Sequence, residues 1–173
     1  MKIRLAGIEY DSLVNGEGTR TVIFAQGCRH HCPGCFNPET HDFEGGELFE
    51  VEEIFKKVND DPFMDGLTFS GGDPIEQAEA FAELAQMYKE AHPDKTIWCW
   101  TGYTIAQLRN DKYHEPGIKK LLDLIDVLVD GRFEQNLFID GLRFRGSTNQ
   151  KIIDMNMTRE MNYKEIVTMD FPI

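Results

Sequence analysis

Three cysteines fall within eight residues of the chain, in the stretch GCRHHCPGCFNP at positions 27–38. They are Cys28, Cys32 and Cys35, and their spacing is C-x3-C-x2-C. Thiolate is the preferred ligand of iron–sulfur clusters and a good ligand of zinc. Three thiolates on one short loop can converge on a single inorganic centre. We therefore predict that the rest of the chain folds into a scaffold around the inorganic centre that these cysteines bind.

This spacing supplies three ligands, whereas the paired C-x2-C ladders of zinc ribbons supply four. A cubane held by three cysteines keeps one iron free of protein ligands, and an open metal position usually indicates chemistry. The alternative is a structural zinc whose fourth ligand comes from one of four residues: His30, His31, His41 or Cys99. Cys99 alternates with two tryptophans in a predicted strand, which favours an inert, buried cysteine.

Length and charge exclude several classes of protein. The 173 residues predict one domain, 1–173, and are too few for a complete eight-fold β/α barrel of about 250 residues. The formal net charge of −12 disfavours a sequence-independent nucleic-acid binder. The sequence has neither an apolar run of ~18 residues nor a signal-peptide pattern at its start, so we expect a cytoplasmic protein without a membrane span.

Strand and helix patterns alternate along the chain. Strands are predicted at residues 2–8, 21–26, 67–70, 96–101 and 126–131, and helices at residues 49–58, 75–90, 104–109 and 117–125. Residues 143–150 suggest a short strand and a polar loop, and residues 151–155 an edge strand. This alternation predicts an α/β fold with parallel strands and helical crossovers. The cysteine loop would then follow the carboxyl end of the second strand, where such folds place their sites.

Three more strand ends carry polar or glycine-rich sequences. Residues 70–73 read SGGD, and two glycines there can expose backbone groups to a ligand while Asp73 offers an anion. Asp73 can also cap a helix that starts at Pro74. Asp130-Gly131 and the segment GSTNQ at 146–150 supply hydrogen-bonding groups suited to a polar small molecule. Each of the three, taken alone, could equally be an ordinary turn or loop.

Together these segments resemble the radical S-adenosylmethionine superfamily. Within it the chain is similar, over nearly its whole length, to the anaerobic ribonucleoside-triphosphate reductase activating proteins. The resemblance rests on VNGEGTRTVIFAQGC, CPGCFNPET, LTFSGGDP, WTGYT, VLVDGRF and RGSTNQKIID. Many members of the superfamily have glutamate where this chain has Asp73, and the aspartate matches the reductase-activating group.

The resemblance implies a fold, two cofactors and a set of site residues. The fold is a partial, incomplete β/α barrel, and the cofactors are a 4Fe–4S cluster and S-adenosylmethionine. The implied cluster ligands are Cys28, Cys32 and Cys35, with S-adenosylmethionine on the fourth iron. The implied S-adenosylmethionine contacts are Gly71, Gly72 and Asp73 at the methionyl amine, Gly34, Cys35 and Phe36 beside the adenine, and Asp130, Asn149 and Gln150 as further candidates.

The resemblance also implies a reaction and partners. Reductive cleavage of S-adenosylmethionine would give a 5′-deoxyadenosyl radical, which takes a hydrogen atom from one glycine of the large reductase subunit. Such chemistry demands no general acid or base. A low-potential electron donor such as a flavodoxin and a homodimer are further expectations. The alternatives are an activase of another glycyl-radical enzyme, a radical enzyme acting on a small molecule, and a non-catalytic metal-binding module.

Overall fold

The computed structural model describes residues 1–110 and 115–172. Its strands are β1 (Lys2–Ser12), β2 (Arg20–Ala25), β3 (Glu47–Glu50), β4 (Gly66–Gly71), β5 (Thr96–Trp100), β6 (Val127–Asp130) and β7 (Lys151–Asp154). Its helices are α1 (Val51–Asn59), α2 (Ala78–Ala91), α3 (Ile105–Leu108), α4 (Ile118–Leu124) and α5 (Met155–Glu160). Among the described residues, no helix is both long and apolar enough to cross a bilayer.

The seven strands form one mixed sheet in the order β3-β1-β2-β4-β5-β6-β7. The four central strands, β2, β4, β5 and β6, are parallel, and the outer strands pair antiparallel. The predicted α/β class with parallel strands is therefore confirmed. The carboxyl ends of the four parallel strands meet at one edge of the sheet, so the loops that follow them are neighbours.

The two faces of the sheet have different covers, because strand side chains alternate between them. One face packs against α1, α2 and α4 in the main core, and α2 contributes many alanines that allow close packing. The opposite face carries Trp98, Val129 and Ile152, on which Phe144 and Phe171 pack. The C-terminal segment covers part of this second face, since the Phe171 ring packs on Trp98 and Phe144, and Met169 N donates to Ile152 O of the edge strand β7 at 2.7 Å.

Several element boundaries differ from the predicted ones. Glu47–Glu50 is an edge strand, whereas the sequence predicted a helix from residue 49; the helix begins at Val51. The first strand runs on to Ser12, and residues 143–150 form bends without a strand. The predicted edge strand at 151–155 is confirmed as β7, but the short helix after it was missed.

A buried arginine ties the opposite, amino-terminal edge of the parallel strands together. Arg20 is 1% exposed, and its five N–H donors are all used. They bond the Thr68 and Thr96 hydroxyls and the carbonyl oxygens of Glu17, Leu67 and Thr96 at 2.7–3.0 Å. Burial lowers the pKa of Arg20 to about 10, so the guanidinium is still charged at neutral pH. One side chain on β2 thus reaches both β4 and β5.

Replacing this arginine by lysine should destabilise the protein. Arg20→Lys keeps the charge but offers three donors from one nitrogen, so at least two of the five acceptors around Arg20 lose their partners. We expect a loss of about 2–4 kcal/mol in the free energy of unfolding, measured by urea denaturation. The matched control is Arg143→Lys at an exposed site, which should change it by less than about 0.5 kcal/mol. Equal stability of the two variants would contradict this role of Arg20.

Candidate functional site

The cysteine loop leaves the carboxyl end of β2, as predicted, and returns close to its own start. Gly27 N donates to Thr40 O at 2.7 Å, and Cys28 N donates to His41 O at 3.2 Å. Cys28 is buried, whereas Cys32 and Cys35 are partly exposed, and all are free thiols. The loop is therefore closed by backbone hydrogen bonds and presents its three cysteines at the edge of the sheet.

The three cysteines line a cavity of about 140 Å³. Its other walls come from the loops that follow β4, β5 and β6, so each central parallel strand contributes. The residues predicted for the site that line it are Cys28, Cys32, Cys35, Phe36, Gly71, Gly72, Asp73 and Gln150. Residues far apart in the sequence thus share one cavity.

The three thiols differ in burial and in hydrogen bonding. Asn37 N donates to the Cys35 sulfur at 3.4 Å. Burial raises the pKa of Cys28 to about 11, and the backbone N–H of His30 acts against this shift. Burial likewise raises the pKa of Cys32, opposed by the backbone N–H of Phe133. The Cys28 and Cys32 thiols are therefore protonated at neutral pH, and a bound metal centre would supply the positive charge that makes them thiolates.

The Asp73 carboxylate is held by hydrogen bonds from three segments. Its Oδ1 accepts from Ile75 N at 3.0 Å, which caps the following turn as predicted. Its Oδ2 accepts from the Thr101 hydroxyl at 3.0 Å, from Gly102 N at 2.9 Å and from His30 Nε2 at 2.8 Å. Asp73 is 1% exposed. The carboxylate therefore joins the cysteine loop to the ends of β4 and β5.

Gly71 and Gly72 are required by close backbone approach. A Cβ on Gly71, whose φ is +99°, would overlap the backbone of Ala25. A Cβ on Gly72 would overlap the carbonyl oxygen of Gly27 at the start of the cysteine loop. Any side chain here would push the loop away from β4, so both glycines are needed for the shape of the cavity.

A second set of contacts holds the segment between the first two cysteines. Arg29 Nε donates to Glu76 Oε2 at 2.7 Å, and the Tyr103 hydroxyl donates to Glu76 Oε1 at 2.5 Å. The rings of His30 and Tyr103 lie edge to face with centroids 4.5 Å apart. His30 Nδ1 is buried and makes no hydrogen bond in the described part of the chain. The side chain of His30 is thus buried, whereas the neighbouring His31 is exposed.

An apolar wall extends from the cysteine cavity into a larger one. Phe36 is 64% exposed, and its ring centroid lies 5.0 Å from that of Phe133 and 6.1 Å from that of Phe138. Beyond this wall lies a cavity of about 560 Å³. Both cavities are lined by Phe36, Asn37, Ser70, Trp100, Phe133 and Gln150. The two spaces therefore adjoin.

The remaining predicted residues support the loops around the cavity. Asp130 accepts from Ile105 N at 2.8 Å and so is directed at the start of α3. Exposed Asn149 donates to Arg132 O at 2.7 Å. Gln150 donates to Gly131 O at 3.0 Å and accepts from Gly146 N at 2.7 Å, which docks the 146–150 loop on the end of β6. Gly34, with φ +74°, is exposed and packs against Gln135.

The structure also places the ligands considered for a zinc site. Cys99 is fully buried in the core between the sheet and the helices, as predicted. His30 Nε2 forms a hydrogen bond with Asp73, and the ring centroids of His31 and His41 lie 4.9 Å apart. Among the described residues, no three His, Cys, Asp or Glu side chains are grouped to hold one metal ion. In a cubane, by contrast, each cysteine binds a different iron.

Sequence reasoning missed several residues that line or shape the cavity. Asn37 donates its backbone N–H to the Cys35 sulfur, Phe133 lines the cavity, and Thr101 and Gly102 donate hydrogen bonds to Asp73. The segments WTGYT and VLVDGRF carried the signal, since both follow predicted strands. Only Asp130 and Gly131 were singled out from them, because side-chain type alone does not show which backbone groups point inward.

Comparison with known proteins assigns the part of the chain that forms this site to a protein family. A sequence model described as "4Fe-4S single cluster domain" matches residues 14–153. The anaerobic ribonucleoside-triphosphate reductase-activating protein of Vibrio cholerae is 42% identical over 146 residues, which cover 81% of this chain and 90% of that protein. The protein of the same name from Escherichia coli is 38% identical, with 81% and 91% covered, and that from phage T4 is 35% identical, with 80% and 86% covered.

The chain belongs to the anaerobic ribonucleoside-triphosphate reductase-activating protein family. The resemblance inferred from the sequence motifs is therefore confirmed. A 4Fe–4S cluster domain is consistent with the donor set found here, since three free thiols line one cavity and the Cys35 sulfur accepts a backbone hydrogen bond from Asn37 N. The unpaired Nδ1 of His30 beside the cavity is a further polar atom that a bound group could satisfy.

Removing a cavity cysteine should abolish cluster binding, and removing the core cysteine should not. After anaerobic reconstitution, we expect Cys28→Ser, Cys32→Ser and Cys35→Ser to lose most of the iron, acid-labile sulfide and visible absorbance. The control Cys99→Ala removes one buried sulfur from the core between the sheet and the helices and should keep a wild-type iron content. Full iron in the three serine variants, or loss of iron in the control, would contradict this assignment.

Proposed function

We propose that the chain is a radical S-adenosylmethionine activating enzyme for the anaerobic ribonucleotide reductase. The observation that carries the proposal is that the cysteine loop and the Gly71–Asp73 turn line one cavity at the carboxyl edge of the parallel strands. Cys28, Cys32 and Cys35 would hold the cluster, which would supply the low-potential electron for reductive cleavage of the sulfonium C–S bond to methionine and the 5′-deoxyadenosyl radical. This radical would take a hydrogen atom from a glycine Cα of the reductase.

The residues around the cavity would bind and orient S-adenosylmethionine. The turn at Gly71, Gly72 and Asp73 would take the methionyl amine; Asp73 Oδ1 accepts one hydrogen bond within the chain, which leaves it acceptor capacity. Gly34, Cys35 and Phe36 would lie beside the adenine. We interpret the four parallel strands, with helices on one face and the cavities at their carboxyl edge, as the partial β/α barrel of the superfamily.

The larger cavity is where we propose that the glycine of the protein substrate enters. Its rim carries exposed apolar side chains, namely Val14, Phe36, Phe138 and Ile139, which suit a peptide segment. The family name favours the large subunit of the reductase as the substrate. A flavodoxin-like electron donor, a cytoplasmic location and a homodimer belong to the same proposal. The chain itself would bind and orient S-adenosylmethionine and would exclude water, because hydrogen-atom transfer needs no acid or base.

Anaerobic turnover tests this proposal in two stages. The reconstituted protein, reduced in the presence of S-adenosylmethionine, should release 5′-deoxyadenosine, measured by chromatography. After the reductase is added, a glycyl-radical signal should appear in the EPR spectrum. Cys35→Ala is the control and should give neither product.

The two stages separate the alternatives. Release of 5′-deoxyadenosine without a glycyl radical would contradict the reductase as substrate and favour another glycyl-radical enzyme or a small molecule. A colourless protein that contains zinc and releases no 5′-deoxyadenosine would contradict the enzyme assignment and favour a metal-binding module.

A further inference from the structure

The cavity of the cysteines and the larger cavity share a wall that is part aromatic and part polar. Its polar residues are Asn37, Ser70 and Gln150. The Gln150 side chain is already used, since its amide donates to Gly131 O and accepts from two backbone N–H groups of its own loop. The Asn37 amide and the Ser70 hydroxyl make no hydrogen bond within the part of the chain that the structure describes. These two groups are therefore available to a bound molecule.

The direction of the Ser70 side chain follows from its place in β4. The preceding Phe69 packs on Phe81 of α2, in the core between the sheet and the helices. Because successive side chains of a strand point to opposite faces, Ser70 projects from the other face of the sheet. The side chains of Phe24 and Trp100 lie on that same face, and both line the larger cavity together with Ser70. The hydroxyl thus lies on the cavity side of the sheet.

The backbone of Asn37 is fixed, which leaves the side-chain amide as the polar group that this residue can offer. Asn37 N donates to the sulfur of Cys35, one of the assigned cluster ligands, at 3.4 Å. Asn37 O accepts from the N–H of Thr40 at 3.0 Å and from its hydroxyl at 2.6 Å. Asn37 is therefore held beside the cysteines, on the same wall as Ser70.

The two free groups match the chemistry of a peptide backbone. A hydroxyl and an amide can each donate and accept a hydrogen bond, as a peptide unit does. The rest of the shared wall is mainly aromatic, so a peptide N–H or C=O that entered without a partner would lose its hydrogen bond to water. Glycine has no side chain, so a site that recognises the glycine itself must bind the N–H and C=O groups on either side of its Cα.

We propose that Ser70 and Asn37 bind the backbone of the glycine-containing segment of the reductase and hold the glycine Cα where the two cavities adjoin. The inference rests on the proposed function, because it takes the reductase as the protein substrate. At this place the Cα gives one hydrogen atom to the 5′-deoxyadenosyl radical, which leaves 5′-deoxyadenosine and a glycyl radical. Ser70 and Asn37 orient the substrate and transfer no proton or electron.

Isotope transfer from the substrate tests this inference. Reductase labelled with α-dideuterated glycine is activated anaerobically, and mass spectrometry measures the fraction of 5′-deoxyadenosine that has gained deuterium. In Ser70→Ala and Asn37→Ala this fraction should fall, and the KM for the reductase should rise about threefold to tenfold, because each variant lacks one hydrogen bond to the substrate. The control Asn136→Ala removes an exposed amide that lines neither cavity, and it should match the wild type.

The outcomes separate this inference from the proposed function. Wild-type values of the labelled fraction and of the reductase KM in both variants would overturn the inference. A larger rise in the KM for S-adenosylmethionine than in that for the reductase would also overturn it, because the two groups would then bind the cofactor. Loss of iron from the variants would show that they support the cysteine loop, which contradicts it as well. Unlabelled 5′-deoxyadenosine from the wild type would contradict the proposed function, and the inference with it.

Discussion

The geometry of the site depends on one buried carboxylate. Asp73 is almost inaccessible to solvent, and the desolvation of its charge is offset by donors from its own turn, from the end of β5 and from the cysteine loop. These bonds, together with the Arg29–Glu76 pair, tie the loop that carries the cysteines to the sheet between its two ends. The carboxylate that the motif comparison assigned to the cofactor is therefore first of all a structural group.

The sequence predicted the architecture wherever the hydrophobic pattern was long and regular. The four parallel strands are nearly continuous apolar runs, and the helices on their outer face show clear amphipathic periodicity, so both were found. The edge strand Glu47–Glu50 was missed because two charged and two apolar residues in four positions do not distinguish a strand from the first turn of a helix. The role of Arg20 was also out of reach, because its partners on β4 and β5 come together only in the folded sheet.

The candidate site, like the fold, was predicted from the sequence only in part. The cysteines, Gly71, Gly72 and Asp73 were found because residue type and spacing point to their chemistry, and the structure brings them to one cavity. The sequence could not show that the glycines are needed for backbone packing, or that Asp130 is directed at the start of α3. Nor could it show the hydrogen bond from Gly102 N to Asp73, since every residue except proline carries an N–H. Residue type therefore does not show which backbone groups make contacts across the fold.

The stability of the metal-free, reduced Asp73→Asn variant tests this account most directly. An amide keeps one acceptor oxygen but turns an NH₂ toward donors that need an acceptor, so we expect urea denaturation to show a loss of about 2–4 kcal/mol. The control Asp140→Asn, at the exposed rim of the larger cavity, should be as stable as the wild type. If Asp73→Asn without metal or cofactor is as stable as the wild type, the carboxylate does not hold the cysteine loop, and this account is wrong.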